Sequence, residues 1–269
     1  MTHQLVSPEQ IAERQQLVLR RGLAQWPQET PGEAAQVSAF AQWLGSLASS
    51  TVLAHPHFPL FMPVDADFSP RMACYFSLGD YEQADLQLID QLIQAGDRVV
   101  ECGGGAGVTG SLAGMRSGRA VTVVEPNTRM HGQIQATFAA NGQQLELIDA
   151  AVVADSYPLN SIELGFYPEY WWSSSLAPAL ADRRESVPVL RLGDLLARLQ
   201  PSVLILDIEG GELGLFPTSL PDQLRLLMVE IHTPDIGELA TVELVNNILA
   251  QGFVLRRLLA QTWVFERSN

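Results

Sequence analysis

Cysteine is scarce: the 269 residues carry only Cys74 and Cys102. Two thiols cannot build a disulfide framework in a chain of this length. Cys102, inside a β-rich run, reads as a small buried apolar residue. Long apolar runs are missing as well. None reaches the ~18 residues needed to cross a bilayer, and the start, Met1-Thr-His-Gln-Leu-Val-Ser7, lacks the basic stretch and apolar core of a secretory signal. The expectation is a cytoplasmic protein. Positive charge is also in short supply, with 16 Lys and Arg against 30 Asp and Glu and a formal net charge of −14. A surface of that sign repels polyphosphate, which argues against nucleic-acid partners and against docking on an anionic membrane. Neutral or cationic small molecules, neutral sugars among them, remain acceptable. Repeats and low-complexity tracts are absent.

What is present is a hydrophobic fraction of 47%, enough for one large α/β domain with an appendage. The most informative stretch is Arg98-Val-Val-Glu-Cys-Gly-Gly-Gly-Ala-Gly-Val-Thr-Gly110. Residues 98–102 form a short β-rich run ending in Gly103, Gly104 and Gly105, and Gly107 sits where a helix would begin. Residues without a Cβ let a ligand approach the backbone and tolerate positive φ. A second β-rich run, residues 120–124, ends in Glu125. In a βαβ unit that acid lies beside the glycine turn and can accept hydrogen bonds from both hydroxyls of a ribose. Gly103, Gly105, Gly107 and Glu125 therefore outline a nucleoside-cofactor site. Gly105-Ala-Gly-Val-Thr-Gly110 also matches the dinucleotide pattern G-x-G-x-x-G, so NAD stands as an alternative. Glu101, two positions before the first glycine, and Pro126, directly after the ribose acid, favour S-adenosylmethionine. A carboxylate at Glu101 can face the methionine moiety but would repel a pyrophosphate.

Two helices are signalled ahead of this unit, at Ser7-Pro-Glu-Gln10 and Thr30-Pro-Gly-Glu33, each with a hydroxyl cap, a proline and a Gln or Glu three residues after the cap. After the second, Val37, Phe40, Ala41, Leu44, Leu47 and Ala48 recur at helical spacing. Residues 1–52 are read as a helical extension that caps the main domain, with a dimerisation element or an active-site lid as the sharper alternative. Residues 53–269 form the main domain. Prolines 56, 59, 63 and 70 suggest a short hairpin with irregular connections, and His55 and His57 lack a third metal ligand nearby. A helix at residues 85–94 leads into the glycine-loop strand. Asn127 caps the helix after Glu125 and is a candidate cofactor contact. A third strand, residues 145–148, ends at Asp149, where that side chain or the backbone of Ala150 can meet an adenine. Residues 150–187 read as a substrate-side insertion rich in Tyr, Trp, Pro and Ser.

Val203-Leu-Ile-Leu-Asp-Ile-Glu-Gly-Gly-Glu212 is a fully apolar parallel strand running into carboxylates. The next strand, residues 224–231, ends in Glu230 and His232, and both strand ends should open on one crevice. The last two β-runs are joined too tightly for a parallel crossover and must be antiparallel. The expected fold is α/β, a class I, Rossmann-like seven-stranded methyltransferase sheet with a C-terminal antiparallel hairpin. Dinucleotide folds do not normally end that way.

At these residues the chain resembles the FkbM family of S-adenosylmethionine-dependent methyltransferases. The motifs are Gly79-Asp-Tyr-Glu82, the glycine loop, Val124-Glu-Pro-Asn127, Asn141, Ser173 to Leu176, Leu192-Gly-Asp194, Asp207-Ile-Glu-Gly-Gly-Glu212 and Val229-Glu-Ile-His232. The resemblance implies O-methylation, often of sugar or polyketide hydroxyls, and adds Glu82 and Asp207 to the cofactor contacts. Two departures stand out: the loop opens with Glu101 rather than Asp, and Ile205 replaces a frequent Lys. Methyl transfer needs an acceptor oxygen held in line with the methyl carbon and a base beside it. His232 and Asp207 are the nominated bases, with Glu209 and Glu230 orienting them. Asp207, Glu209 and Glu230 are also hard oxygen ligands of the kind Mg²⁺ takes, a lesser reading; the expected site holds no metal. A non-catalytic binding subunit with the same fold is the remaining alternative.

Overall fold

The computed structural model describes residues 31–166, 173–174, 181, 183–216 and 219–268. The first expected helix, at Ser7, and the aromatic run at 167–172 lie outside the described residues. The second expected helix is present as α1 (Pro31–Gly45). Its stripe seats Leu44 in the core with Phe40 and Leu47 against it, while Ala41 and Ala48 stay exposed. A hairpin follows, β1 (Thr51–Ala54) and β2 (Phe61–Val64), antiparallel as expected. Next comes a helix that the sequence reading passed over, α2 (Pro70–Leu78). Ser69 caps it by accepting from Met72 N, Pro70 occupies the first turn, and Gly79 ends it in the left-handed region.

The main sheet is built from β3 (Val99–Cys102), β4 (Val121–Val124), β5 (Leu145–Ile148), β10 (Val203–Leu206), β11 (Leu226–Glu230), β12 (Phe253–Leu259) and β13 (Thr262–Arg267). Its strand order is β12-β13-β11-β10-β3-β4-β5. Pairings from β11 through β5 are parallel, and β13 runs antiparallel to both β11 and β12. This is the expected Rossmann-like, seven-stranded arrangement with its terminal antiparallel hairpin. Strand alternation divides the side chains between two layers. Val99, Val121, Val123, Val203 and Ile205 pack under α3 (Gln83–Leu92), α4 (Val108–Ser117) and α5 (Thr128–Ala140). On the opposite face Val100, Cys102, Val124, Leu204 and Leu206 share a second core with α6 (Leu192–Leu199) and α8 (Glu238–Leu249), the latter preceded by the single turn α7 (Thr233–Ile236).

The insertion makes a sheet of its own. β6 (Ala151–Val153), β7 (Ser161–Phe166), β8 (Ser173–Ser174) and β9 (Arg183–Arg191) assemble in the order β6-β9-β7-β8. Its long strand continues past Val187 to Arg191, directly ahead of α6. Ala151, Leu164, Phe166 and Val187 form its small core. Far from the strand tips, an ion pair ties the base of the sheet together: Arg225 donates to the buried carboxylate of Asp97, which also accepts from Ser202 Oγ and Gln94 N.

Candidate active site

The carboxyl ends of β3, β4, β10 and β11 open on a cavity of about 440 Å³, within the range usual for small-molecule sites. One wall is apolar, with Ala151, Val152, Ile162 and Leu164 from the insertion. The other is acidic, with Glu82 and Asp85 from the start of α3, Glu125 after β4, Asp207 and Glu209 after β10, and Glu230 at the end of β11. Gly103 and Gly105 lie between the two walls.

Close packing explains the glycines. A Cβ on Gly103, whose φ is +89°, would stand 1.7 Å from the carbonyl oxygen of Asp207. The turn is therefore pressed against the neighbouring strand, whose Asp207 N donates to Cys102 O. The amides of the turn are already engaged. Gly103 N donates to Val124 O and Gly107 N to Gly104 O. Gly104 N donates to Glu125 Oε2 at 2.9 Å, Gly105 N also bonds the Glu125 carboxylate, and Ala106 N reaches the Tyr81 hydroxyl at 3.4 Å. Asn127 N donates to the other Glu125 oxygen at 2.7 Å.

His232 sits at the floor, buried. Its Nδ1 is 3.0 Å from Glu212 Oε1, and its Nε2 faces Glu209 at 3.3 Å, Asp207 at 3.8 Å and Glu230 at 3.9 Å. Burial alone would lower its pKa, but the Glu212 hydrogen bond and the charges of Glu209, Glu212 and Asp207 outweigh it and raise the value to about 11. On the carboxyls burial acts in the opposite sense. Burial, then Asp207, pushes Glu230 up to about 8. Burial also holds Glu82 and Asp207 well above the carboxylate range, reinforced by their acidic neighbours. Asp85 is raised by burial as well, although Thr262 Oγ1 donates to it at 2.8 Å.

Of the residues expected from sequence, Glu82, Gly103, Gly105, Glu125, Asp207, Glu209 and Glu230 line the cavity. Others do not. Glu101 is corrected outright: strand alternation turns it away, into the layer beneath α4, where it is 1% exposed. There a Cβ on Gly110 would meet Glu101 Oε2 at 2.5 Å and the Phe138 ring at 2.8 Å, so Gly110 makes the room the carboxyl occupies. Burial first, with Asp85 and Glu125 adding to it, brings Glu101 to about 8 against the opposing bond from Thr109. Gly107 packs on α5, and Asn127 spends its side chain capping that helix. Asp149 is exposed outside the cavity lining, and Ala150 is buried in the second core. His232 is not itself among the lining residues, and both its ring nitrogens face carboxylates. Tyr81 and Asp85 line the cavity without having been singled out. Tyr81 precedes α3 and Asp85 sits in its first turn, and it takes the fold to bring that turn against β11 and β13.

No family model matches the chain, and no curated protein matches it. Solved structures do. An O-methyltransferase family protein from Burkholderia thailandensis aligns at 11% identity over 97% of this chain and 73% of its own, with a TM-score of 0.42. TYW2 of M. jannaschii, in complex with AdoMet, aligns at 12% over 83% and 89%, TM-score 0.40. The pyocyanin biosynthetic protein PhzM aligns at 10% over 73% and 58%, TM-score 0.40, so the chain spans little more than half of that protein. Likenesses this distant carry no argument about activity, and the fold rests on the strand order described above.

Proposed function

We propose that the chain is an S-adenosylmethionine-dependent methyltransferase acting on a hydroxyl of a small molecule or saccharide, in the manner of the FkbM family it resembles. The observation that carries this reading is the charge of the cavity: seven carboxyl groups line it, and among the described residues no Lys or Arg side chain does. A sulfonium nucleoside is attracted to such a wall; a pyrophosphate is repelled. The glycine turn argues the same way, because the five amides from Gly103 to Gly107, which a pyrophosphate would need, are engaged within the protein. NAD is disfavoured on both counts.

In this reading Glu125 accepts from the ribose hydroxyls, and Gly103 and Gly105 leave room for the methionine moiety. Asp207, which lines the same cavity, would face the sulfonium. The acceptor hydroxyl enters between Glu230 and the apolar wall of the insertion, and Glu230, facing the cavity, takes its proton. S-adenosylmethionine, when bound, would supply the methyl group to that oxygen and leave as the neutral thioether. His232 acts indirectly, as the cation that holds Asp207, Glu209 and Glu230 together.

Calorimetric titration with S-adenosylhomocysteine and, separately, with NAD tests the reading. The homocysteine compound is expected to bind, and Glu125→Gln to weaken it roughly 10- to 100-fold, the worth of one or two charge-assisted hydrogen bonds. Tighter binding of NAD would overturn the assignment. Incubation with labelled methyl donor and fractionated extract then identifies the acceptor; binding without any transfer would favour a non-catalytic subunit.

A further inference from the structure

We infer that Asp207, Glu209 and His232 form a binding site for one divalent first-row transition-metal ion at the floor of the cavity. One ligand atom from each of the three lies within 4.8 Å of the others. His232 Nε2 is 3.3 Å from Glu209 and 3.8 Å from Asp207. Donors that share an ion at ~2.1 Å stand roughly 3–4 Å apart, so both distances from His232 Nε2 already have the spacing of a ligand set.

Two further observations separate this group from a chance gathering of acids. Asp207 Oδ1 is shut off from solvent, has no hydrogen-bond partner among the described residues, and is directed at the imidazole. A buried carboxylate oxygen left in that state costs free energy that a cation would return. The second is Glu212, which is 0% exposed and fixes His232 Nδ1 at 3.0 Å. A carboxylate on the far nitrogen of a histidine fixes the ring's orientation and raises the basicity of the near nitrogen, as second-layer partners do for metal-ligating histidines. The ion would take the place of the proton on Nε2. Because Asp207, Glu209 and Glu230 also line the cavity, the remaining coordination positions open toward the ligand.

The donor set narrows the choice of ion. One imidazole with carboxylates suits Mn²⁺, Fe²⁺ or Zn²⁺, whereas Mg²⁺ prefers oxygen alone. The neighbouring trio Glu82, Asp85 and Glu230 is all carboxylate, and nothing beyond charge points to an ion there.

The test does not depend on methyl transfer. Chelator-treated full-length protein is titrated with Mn²⁺ and followed by electron paramagnetic resonance and calorimetry. One ion per chain is expected, displaced by Zn²⁺ and not by an equal concentration of Mg²⁺. Glu209→Gln, at a partly exposed position, is expected to weaken binding at least tenfold. Glu212→Gln, which leaves all three ligands in place, is expected to weaken it roughly 10- to 100-fold, with circular dichroism used to check that the variant is folded. Wild-type binding no tighter than that of folded Glu209→Gln overturns the site, as does equal affinity for Mg²⁺. Protein that binds S-adenosylhomocysteine but no Mn²⁺ refutes the metal site alone and leaves the methyltransferase reading standing.

Discussion

Replacing Glu101 by Gln isolates the energetic consequence of a carboxyl buried in the wrong medium. The group is 1% exposed, beneath α4, and its pKa in the folded protein is about 8, against an unfolded value of ~4.3. Between those values the folded state holds a proton that the unfolded state has released, so stability falls as pH rises through the window and the whole contribution is lost above pH ~8. At 1.36 kcal/mol per pKa unit the ceiling is on the order of 5 kcal/mol, and local relaxation or water entry would reduce it. Glutamine keeps the shape and cannot ionise. Urea unfolding at pH 5, 6, 7 and 8.5, read by circular dichroism, should therefore show wild-type stability falling toward alkaline pH by several kcal/mol more than that of Glu101→Gln. The two should be close at pH 5, and the variant should be the more stable at pH 8.5. Carboxyls remote from Glu101 titrate alike in both proteins, so the difference belongs to Glu101 and the two acids, Asp85 and Glu125, whose charges act on it. Parallel stability curves would refute the buried, protonated carboxyl.

Gly103→Ala forces a methyl group to within 1.7 Å of Asp207 O at a φ of +89°; loss of soluble protein or a melting temperature lowered by about 5 °C or more is expected, and a variant melting like wild type would contradict the close approach. Arg225→Met strands the buried carboxylate of Asp97, whose pKa is lowered because the Arg225 hydrogen bond, with those from Gln94 and Ser202, overcomes its desolvation. Breaking such a pair costs about 3–5 kcal/mol when both charges are fully buried, less here because Arg225 is 30% exposed. Urea unfolding at pH 7 measures that loss. A depressed carboxyl stabilises above its unfolded pKa and loses the contribution as pH falls, so the difference between wild type and Arg225→Met should shrink below pH ~4.

Sequence periodicity reached the sheet because its information is local. β10 is a continuous apolar run and β11 is apolar up to its last residue, and the tight link between β12 and β13 leaves no room for a crossover, so the antiparallel end follows from chain length alone. Glu125 was legible for the same reason, as an acid at the tip of the strand after a glycine turn. Glu101 was misread because alternation says which residues share a face but not which face meets helices. One position separates it from the strand end, and that position decides between cavity and core. The sheet of the insertion was invisible: β6 pairs with β9 across almost forty residues, and Tyr, Trp, Pro and Ser between them signal irregular chain. Ser69-Pro70 did carry a helix start, lost among prolines counted as loop.

Backbone strain gathers where the acids do. Among the described residues four that are not glycine adopt positive φ, namely Glu82, Gln200, Glu209 and Ala260, and all but Gln200 line the cavity. Each such residue costs of order 1 kcal/mol or more, and here two of them also bring a carboxyl into a crowd of carboxyls. Neither choice helps the empty protein: the strain destabilises the backbone, and mutual repulsion together with burial drives Glu82 far from its ordinary pKa. A fold that tolerates both at one spot must be held there by the sheet on one side and α3 on the other. A ligand carrying positive charge would relieve the repulsion on arrival, and whatever binds the folded protein and not the unfolded chain stabilises it. The cavity is thus built at the expense of the unliganded state, which is the physical signature of a binding site rather than of a gap between packed elements.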